Sequence, residues 1–205
     1  MKIIVIGAAG LIGSAVVKAL AGRHDIIGAS RKAAEHQVDL TDKASVQRLF
    51  DQVGSFDAVV CVAGGAAYKP LLELTDDDFA MSVNYKQMGQ VNIARLAIPH
   101  LADGGSITLT TGFFSVEPPP NAAAIAMANS AVNGFVIGAS RELPRGLRIN
   151  AVSPPFVGEF RLNGAKSTVE SMTAADTALG YVDAVEGQMT GAVIDTRLYA
   201  KRPRA

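Results

Sequence analysis

Ile3-Ile4-Val5-Ile6-Gly7-Ala8-Ala9-Gly10-Leu11-Ile12-Gly13 opens as a β-branched run and passes through spaced glycines. It then continues into a helical pattern, with Leu11, Ile12, Ala15, Val16, Ala19 and Leu20 forming one apolar stripe. Strand, glycine turn and helix in that order have a physical use. Gly7 permits the tight turn, Gly10 lets the backbone approach a pyrophosphate, and Gly13 lets the helix pack closely on the sheet. The N–H groups of Leu11, Ile12 and Gly13 then face an anion at the positive end of the helix dipole. The stretch therefore predicts a dinucleotide site, and the competing reading is a structural turn.

Further along, short β-branched runs alternate with longer helical patterns. Strands are expected at Ile3–Ile6, Asp25–Ala29, Ala58–Val62, Ser106–Thr111, Leu147–Val152 and Ala192–Asp195, with a weaker one at Gln37–Leu40. Several are apolar on consecutive residues, as strands covered on both faces are. Val46, Leu49, Phe50 and Val53 mark another helix, and Thr75 before Asp76-Asp77-Asp78 reads as an N-cap with acids in the first turn. The expected fold is α/β: one Rossmann-type doubly wound domain of about seven mostly parallel strands with helices on both faces. It would span residues 1–205 with a short tail from 198, whose basic end is Lys201-Arg202-Pro203-Arg204. Only residues 31–36 separate the second and third strands, too few for a helical crossover. Either the third strand is a short edge piece reached by a loop, or it is not a strand.

Composition narrows the function. The 205 residues carry 19 basic and 19 acidic side chains, a balance that offers no basic surface for nucleic acid. The most apolar long stretch, 122–139, holds Asn129, Ser130 and Asn133, which argues against a membrane span. One cysteine and three scattered histidines predict neither a disulfide nor a metal site. A cytoplasmic location is the expectation. After the second strand come Ser30-Arg31-Lys32, where an NAD site would place an acid for the ribose hydroxyl. Ser30 can donate a hydrogen bond and Arg31 can grip a 2′-phosphate, so NADP(H) is expected over NAD(H).

With these landmarks in order, the sequence resembles the short-chain dehydrogenase/reductase family over nearly its whole length. The others are Asp39-Leu40, Val62-Ala63-Gly64, Ser82-Val83-Asn84, Gly104-Gly105-Ser106-Ile107, Ala131-Val132-Asn133-Gly134-Phe135 and Arg148-Ile149-Asn150-Ala151-Val152-Ser153-Pro154. The resemblance implies hydride transfer between NADP(H) and a small carbonyl or alcohol. It adds Asp39, Leu40, Ala63, Gly64, Pro154 and Val157 to the cofactor residues Gly7, Gly10, Leu11, Ile12, Gly13, Ser30 and Arg31. It also implies a homodimer or homotetramer, paired through the helices at 84–101 and 122–143.

The family's acid/base is a tyrosine, with a lysine four residues later that lowers its pKa. Here those positions hold Ile125 and Asn129, which move no proton. The serine position falls on Gly112 or Thr111, and only Asn84 keeps the relay position. Pro154 is followed by Pro155 where the family has glycine, and Glu159 stands where it has threonine. The candidates for catalysis are therefore Asn84 and Thr111, with Tyr68 beside Lys69 as a further pair. Asn84 could equally serve a helix kink. Tyr85 and Lys86 are expected on a helix surface or a subunit contact, Tyr181 and Cys61 in the core, and Glu117 in solvent. Three readings stay open: an oxidoreductase with substitute groups, a catalytically silent NADP(H) sensor or regulatory protein, and a scaffold without nucleotide.

Overall fold

The computed structural model describes residues 1–32, 35–158 and 171–200. Seven strands form one sheet: β1 (Lys2–Ile6), β2 (Asp25–Ser30), β3 (His36–Gln37), β4 (Phe56–Cys61), β5 (Leu101–Thr110), β6 (Arg148–Ser153) and β7 (Val193–Asp195). Their order is β3-β2-β1-β4-β5-β6-β7, and every pair is parallel, where the sequence predicted mostly parallel strands. The weak strand predicted at Gln37–Leu40 is a two-residue edge piece at His36–Gln37, paired to Ala29 and Ser30. Val38 and Leu40 turn into the core beyond it.

Alternation along each strand feeds two cores. Ile4, Ile6, Val59, Cys61, Ile107 and Leu109 face α2 (Lys43–Val53), α4 (Gly89–Ala97) and α5 (Ala123–Ala139). Ile3, Val5, Ala58 and Val60 face α1 (Leu11–Leu20) and α6 (Ala174–Glu186). Predicted capping holds at α3 (Asp76–Ser82), where Thr75 and Asp78 form a reciprocal capping box. Between α3 and α4 the chain adopts a π-helical turn over Val83–Met88. Residues 198–200, expected in a tail, partly belong to the fold: Thr196–Tyr199 is a 3-10 turn, and the buried Tyr199 hydroxyl donates to Asp183. The basic end from Lys201 and the Glu159 position lie outside the described residues. No described helix is long and apolar enough to cross a membrane.

The strand order reverses between β1 and β4, so a crevice opens at their carboxyl ends. Helix α1 is held there by close contact. A Cβ on Gly13 would lie 2.0 Å from the Gly7 carbonyl oxygen, while Gly22 has open space around it. Gly13→Ala is expected to cost at least about 2 kcal/mol in urea unfolding, because backbone must move to admit a methyl. Gly22→Ala, the control, is expected to stay within about 0.5 kcal/mol of wild type.

Candidate active site

The crevice holds two neighbouring cavities. The first, about 220 Å³, is lined by Gly7, Gly10, Ser30, Arg31, Asp39, Leu40, Ala63 and Tyr85, among others. It gathers seven of the residues predicted for the cofactor. Gly7 has φ +91°, and a Cβ there would sit 3.0 Å from the Ala63 nitrogen, so the turn and the end of β4 demand glycine together. Gly10 is the N-cap of α1 and supplies no side-chain cap. The first-turn N–H groups of Leu11, Ile12 and Gly13 therefore stay available to an anion. Arg31 is exposed beside this cavity. Asp39 accepts hydrogen bonds from the Thr41 N–H and hydroxyl, at 2.9 and 2.8 Å. Those bonds, the backbone one first, hold its carboxyl below the usual carboxylate range, and Arg31 adds to the effect.

The second cavity, about 160 Å³, is lined by Lys86, Thr111, Gly112, Ile125, Asn129, Pro154 and aromatic rings. Gly64, at φ +134°, is in neither lining but packs on a residue of each: its Cβ position would lie 3.2 Å from Lys86 Cδ and 3.7 Å from the Tyr85 carbonyl oxygen. Thr111 is buried, and its hydroxyl donates to the Asn129 carbonyl at 3.0 Å. Asn129 is buried as well, and among the described residues its Oδ1 has no hydrogen-bond partner. Val157 lies outside both linings, bridged to Met172 in a short parallel pairing.

Lys86 departs from the sequence reading. Expected on a helix surface or at a subunit contact, it is only 7% exposed, and its Nζ donates to the Thr111 carbonyl at 3.3 Å. The π-turn carries it inward, while Asn84 is exposed and outside both linings. The Asn84 carbonyl accepts from the Gly89 N–H, which closes the wide turn. Ser82, Lys86 and Gln90, four residues apart, are all buried. That spacing continues the apolar stripe of α4, and it is the signal that could have revealed Lys86. Gln90 fixes the face: its Nε2 donates to the Thr110 carbonyl at 2.7 Å, and its Oε1 accepts from the Thr110 N–H at 2.6 Å.

Burial pulls the Lys86 pKa down to about 8. Cys61, on β4, is pushed up to about 11 by its own burial, so near neutrality it is an uncharged thiol and no counter-ion. Tyr181 packs in the core as expected, sharing a 2.7 Å hydrogen bond with the Thr110 hydroxyl, and burial raises its pKa. Of the Tyr68–Lys69 pair, Lys69 Nζ is bound to both Asp78 oxygens, at 2.9 and 2.8 Å, and neither residue is in either lining. Glu117 is exposed.

Residues 8–186 match the family model described as enoyl-(acyl carrier protein) reductase. The L-2,3-butanediol dehydrogenase of Corynebacterium glutamicum is 33% identical over 141 residues, 65% of this chain and 55% of that protein. The hydroxynaphthalene reductase arp2 of Aspergillus fumigatus is 31% identical over 132 residues, 62% of this chain and 48% of that protein. The chain thus spans about half the length of these curated relatives. Among solved structures, the protein lin1944 from Listeria innocua superposes with a TM-score of 0.92 at 39% identity, covering 95% of this chain and 98% of that one. A small-chain dehydrogenase in complex with NADPH superposes at 0.83 with 26% identity, covering 95% of each chain.

The buried ammonium makes a stability prediction. Lys86 binds its proton more weakly in the folded chain than in the unfolded one, where its value is 10.5. Below about pH 8 both states are protonated and the cost of burying the charge is fully present. Between about 8 and 10.5 the unfolded chain binds more protons, so the cost is relieved as pH rises. Lys86→Met is therefore expected to stabilise the protein by roughly 3 kcal/mol at pH 7, with the gain largely gone by about pH 10.5. Urea unfolding of both proteins at the two pH values measures it.

Proposed function

The chain belongs to the short-chain dehydrogenase/reductase family, and from that premise we propose that it is an NADP(H)-dependent oxidoreductase of a small carbonyl or alcohol. The observation that carries this reading is the uncapped first turn of α1, opening on a cavity that Ser30 and Arg31 border. The residues fit the cofactor. Gly7 to Gly13 would take the pyrophosphate, Arg31 and Ser30 the 2′-phosphate, Asp39 and Leu40 the adenosine side. Ala63, Gly64 and Pro154 would border the path to the second cavity. When bound there, the nicotinamide supplies or accepts the hydride.

The second cavity is narrow, and its walls are apolar apart from Lys86, Thr111 and Asn129. That lining suits a compact substrate with few polar groups, of the kind named for the butanediol dehydrogenase. Thr111 spends its hydroxyl proton on the Asn129 carbonyl, so its part is to fix the cavity floor. Asn84 has the weaker case for a relay, since it stands outside the lining. Ile125 in that lining favours the second reading, a catalytically silent NADP(H) sensor.

Calorimetric titration with NADPH, NADH, NADP⁺ and NAD⁺ tests the cofactor reading. Arg31→Glu is expected to weaken NADPH binding about 10- to 100-fold and to leave NADH binding nearly unchanged, the span of one charge-assisted contact. Equal loss for both nucleotides, or no binding of any, would remove it.

A further inference from the structure

We propose that Lys86 is the acid/base residue of this site, its Nζ giving a proton to the oxygen of a carbonyl compound held in the second cavity and recovering it from the alcohol in the reverse direction. The inference rests on the cofactor reading above. Its own grounds are geometric.

Lys86 is buried and borders the second cavity together with Thr111, Gly112, Ile125 and Asn129. An ammonium has three N–H donors, and the bond to the Thr111 carbonyl uses one. Among the described residues no carboxylate pairs with it. Among the described residues, the titratable group that acts on it from the packed elements is Cys61 on β4; Thr111, just past β5, and Asn129 on α5 do not titrate. A cation kept in that state costs stability, and packed methionine would avoid the cost. Asn129 Oδ1 supplies a second, independent sign. It is a buried acceptor in the same lining, without a partner among the described residues, where a native core normally satisfies such atoms. One cavity thus offers spare donors and a spare acceptor between apolar walls. A small hydroxycarbonyl compound satisfies both, its carbonyl on Lys86 and its hydroxyl on Asn129.

The chemistry balances. With a nicotinamide bound as the hydride source, the carbonyl carbon would gain the hydride and its electron pair, and the carbonyl π pair would move to oxygen. The Lys86 N–H bond breaks and a substrate O–H bond forms; the bonding pair stays on nitrogen. Water then returns a proton to the neutral amine. A lysine whose burial brings it to about 8 can exchange its proton near neutral pH, which an arginine cannot.

Two measurements on the full chain test this. In the first, protein labelled with ¹³C-lysine is titrated by NMR, and Lys86 is assigned by the signal that Lys86→Arg removes. The titration is run free, with 2′,5′-ADP, and with NADP⁺. Lys86 is expected to titrate near pH 8. NADP⁺, with its cationic ring, is expected to lower its proton affinity about three- to tenfold, and 2′,5′-ADP to leave it unchanged. If both ligands bind and Lys86 responds to neither, the acid/base assignment fails while the cofactor reading stands. If neither binds, the cofactor reading fails and takes the proposal with it. The second measurement needs no variant. Wild-type protein is treated with acetaldehyde and cyanoborohydride at pH 7 and mapped by mass spectrometry. Lys86 is expected to alkylate at least about tenfold faster than ordinary surface lysines, because far more of it is unprotonated at that pH. Surface lysines modified ahead of an untouched Lys86 would show that carbonyl compounds do not reach it, and would overturn the proposal.

Discussion

Helix α1 approaches the end of β1 so closely that the Gly13 position has no room for a methyl beside the Gly7 carbonyl oxygen. That contact fixes where the first turn of the helix sits, and with it the direction of its free N–H groups. The same Gly7 turns at positive φ against the backbone leaving β4. Loop, helix and neighbouring strand are therefore set by mutual exclusion, without a side chain reaching across. Because every strand is parallel, this end of the sheet is also where all the strand-to-helix loops emerge. The elements that carry Ser30, Gly64, Lys86 and Pro154 meet at one crevice for that reason.

The second feature of the crevice runs against stability. Lys86 is held in the interior by the π-turn and by the bonds that Gln90 makes to both sides of Thr110. Neither arrangement neutralises the charge. Proteins keep such groups where chemistry uses them, and structural ion pairs are the usual alternative. Here the described surroundings offer a carbonyl, a thiol and an amide, so the structural alternative has no partner.

The sequence carried the fold because its signals were local and agreed with one another. Consecutive β-branched residues at Ile3–Ile6 and Val59–Val60, and the Thr75–Asp78 cap, each specify a local geometry that tertiary packing preserves. The edge strand near Gln37 was ambiguous because two residues of pairing leave little periodicity to read. In the site, glycine spacing announced the first cavity, whose wall at Gly7 and Gly10 is backbone. The second cavity was misread because Lys86 was judged by residue type. Charged side chains are rarely buried, and the wide turn that rotates this one inward holds no glycine or proline between Val83 and Met88 to mark it. Its i, i+4 relation to Ser82 and Gln90 was the only trace. Asn84 shows the converse: it matched a motif by position, yet the π-turn leaves it facing outward.

The most direct test of this account is a crystal structure of the protein with NADP⁺ bound. The 2′-phosphate is expected at Arg31, the pyrophosphate on the first turn of α1, and the nicotinamide ring past Gly64, against Lys86 and Asn129. A cofactor bound with its ring directed away from Lys86 would contradict it.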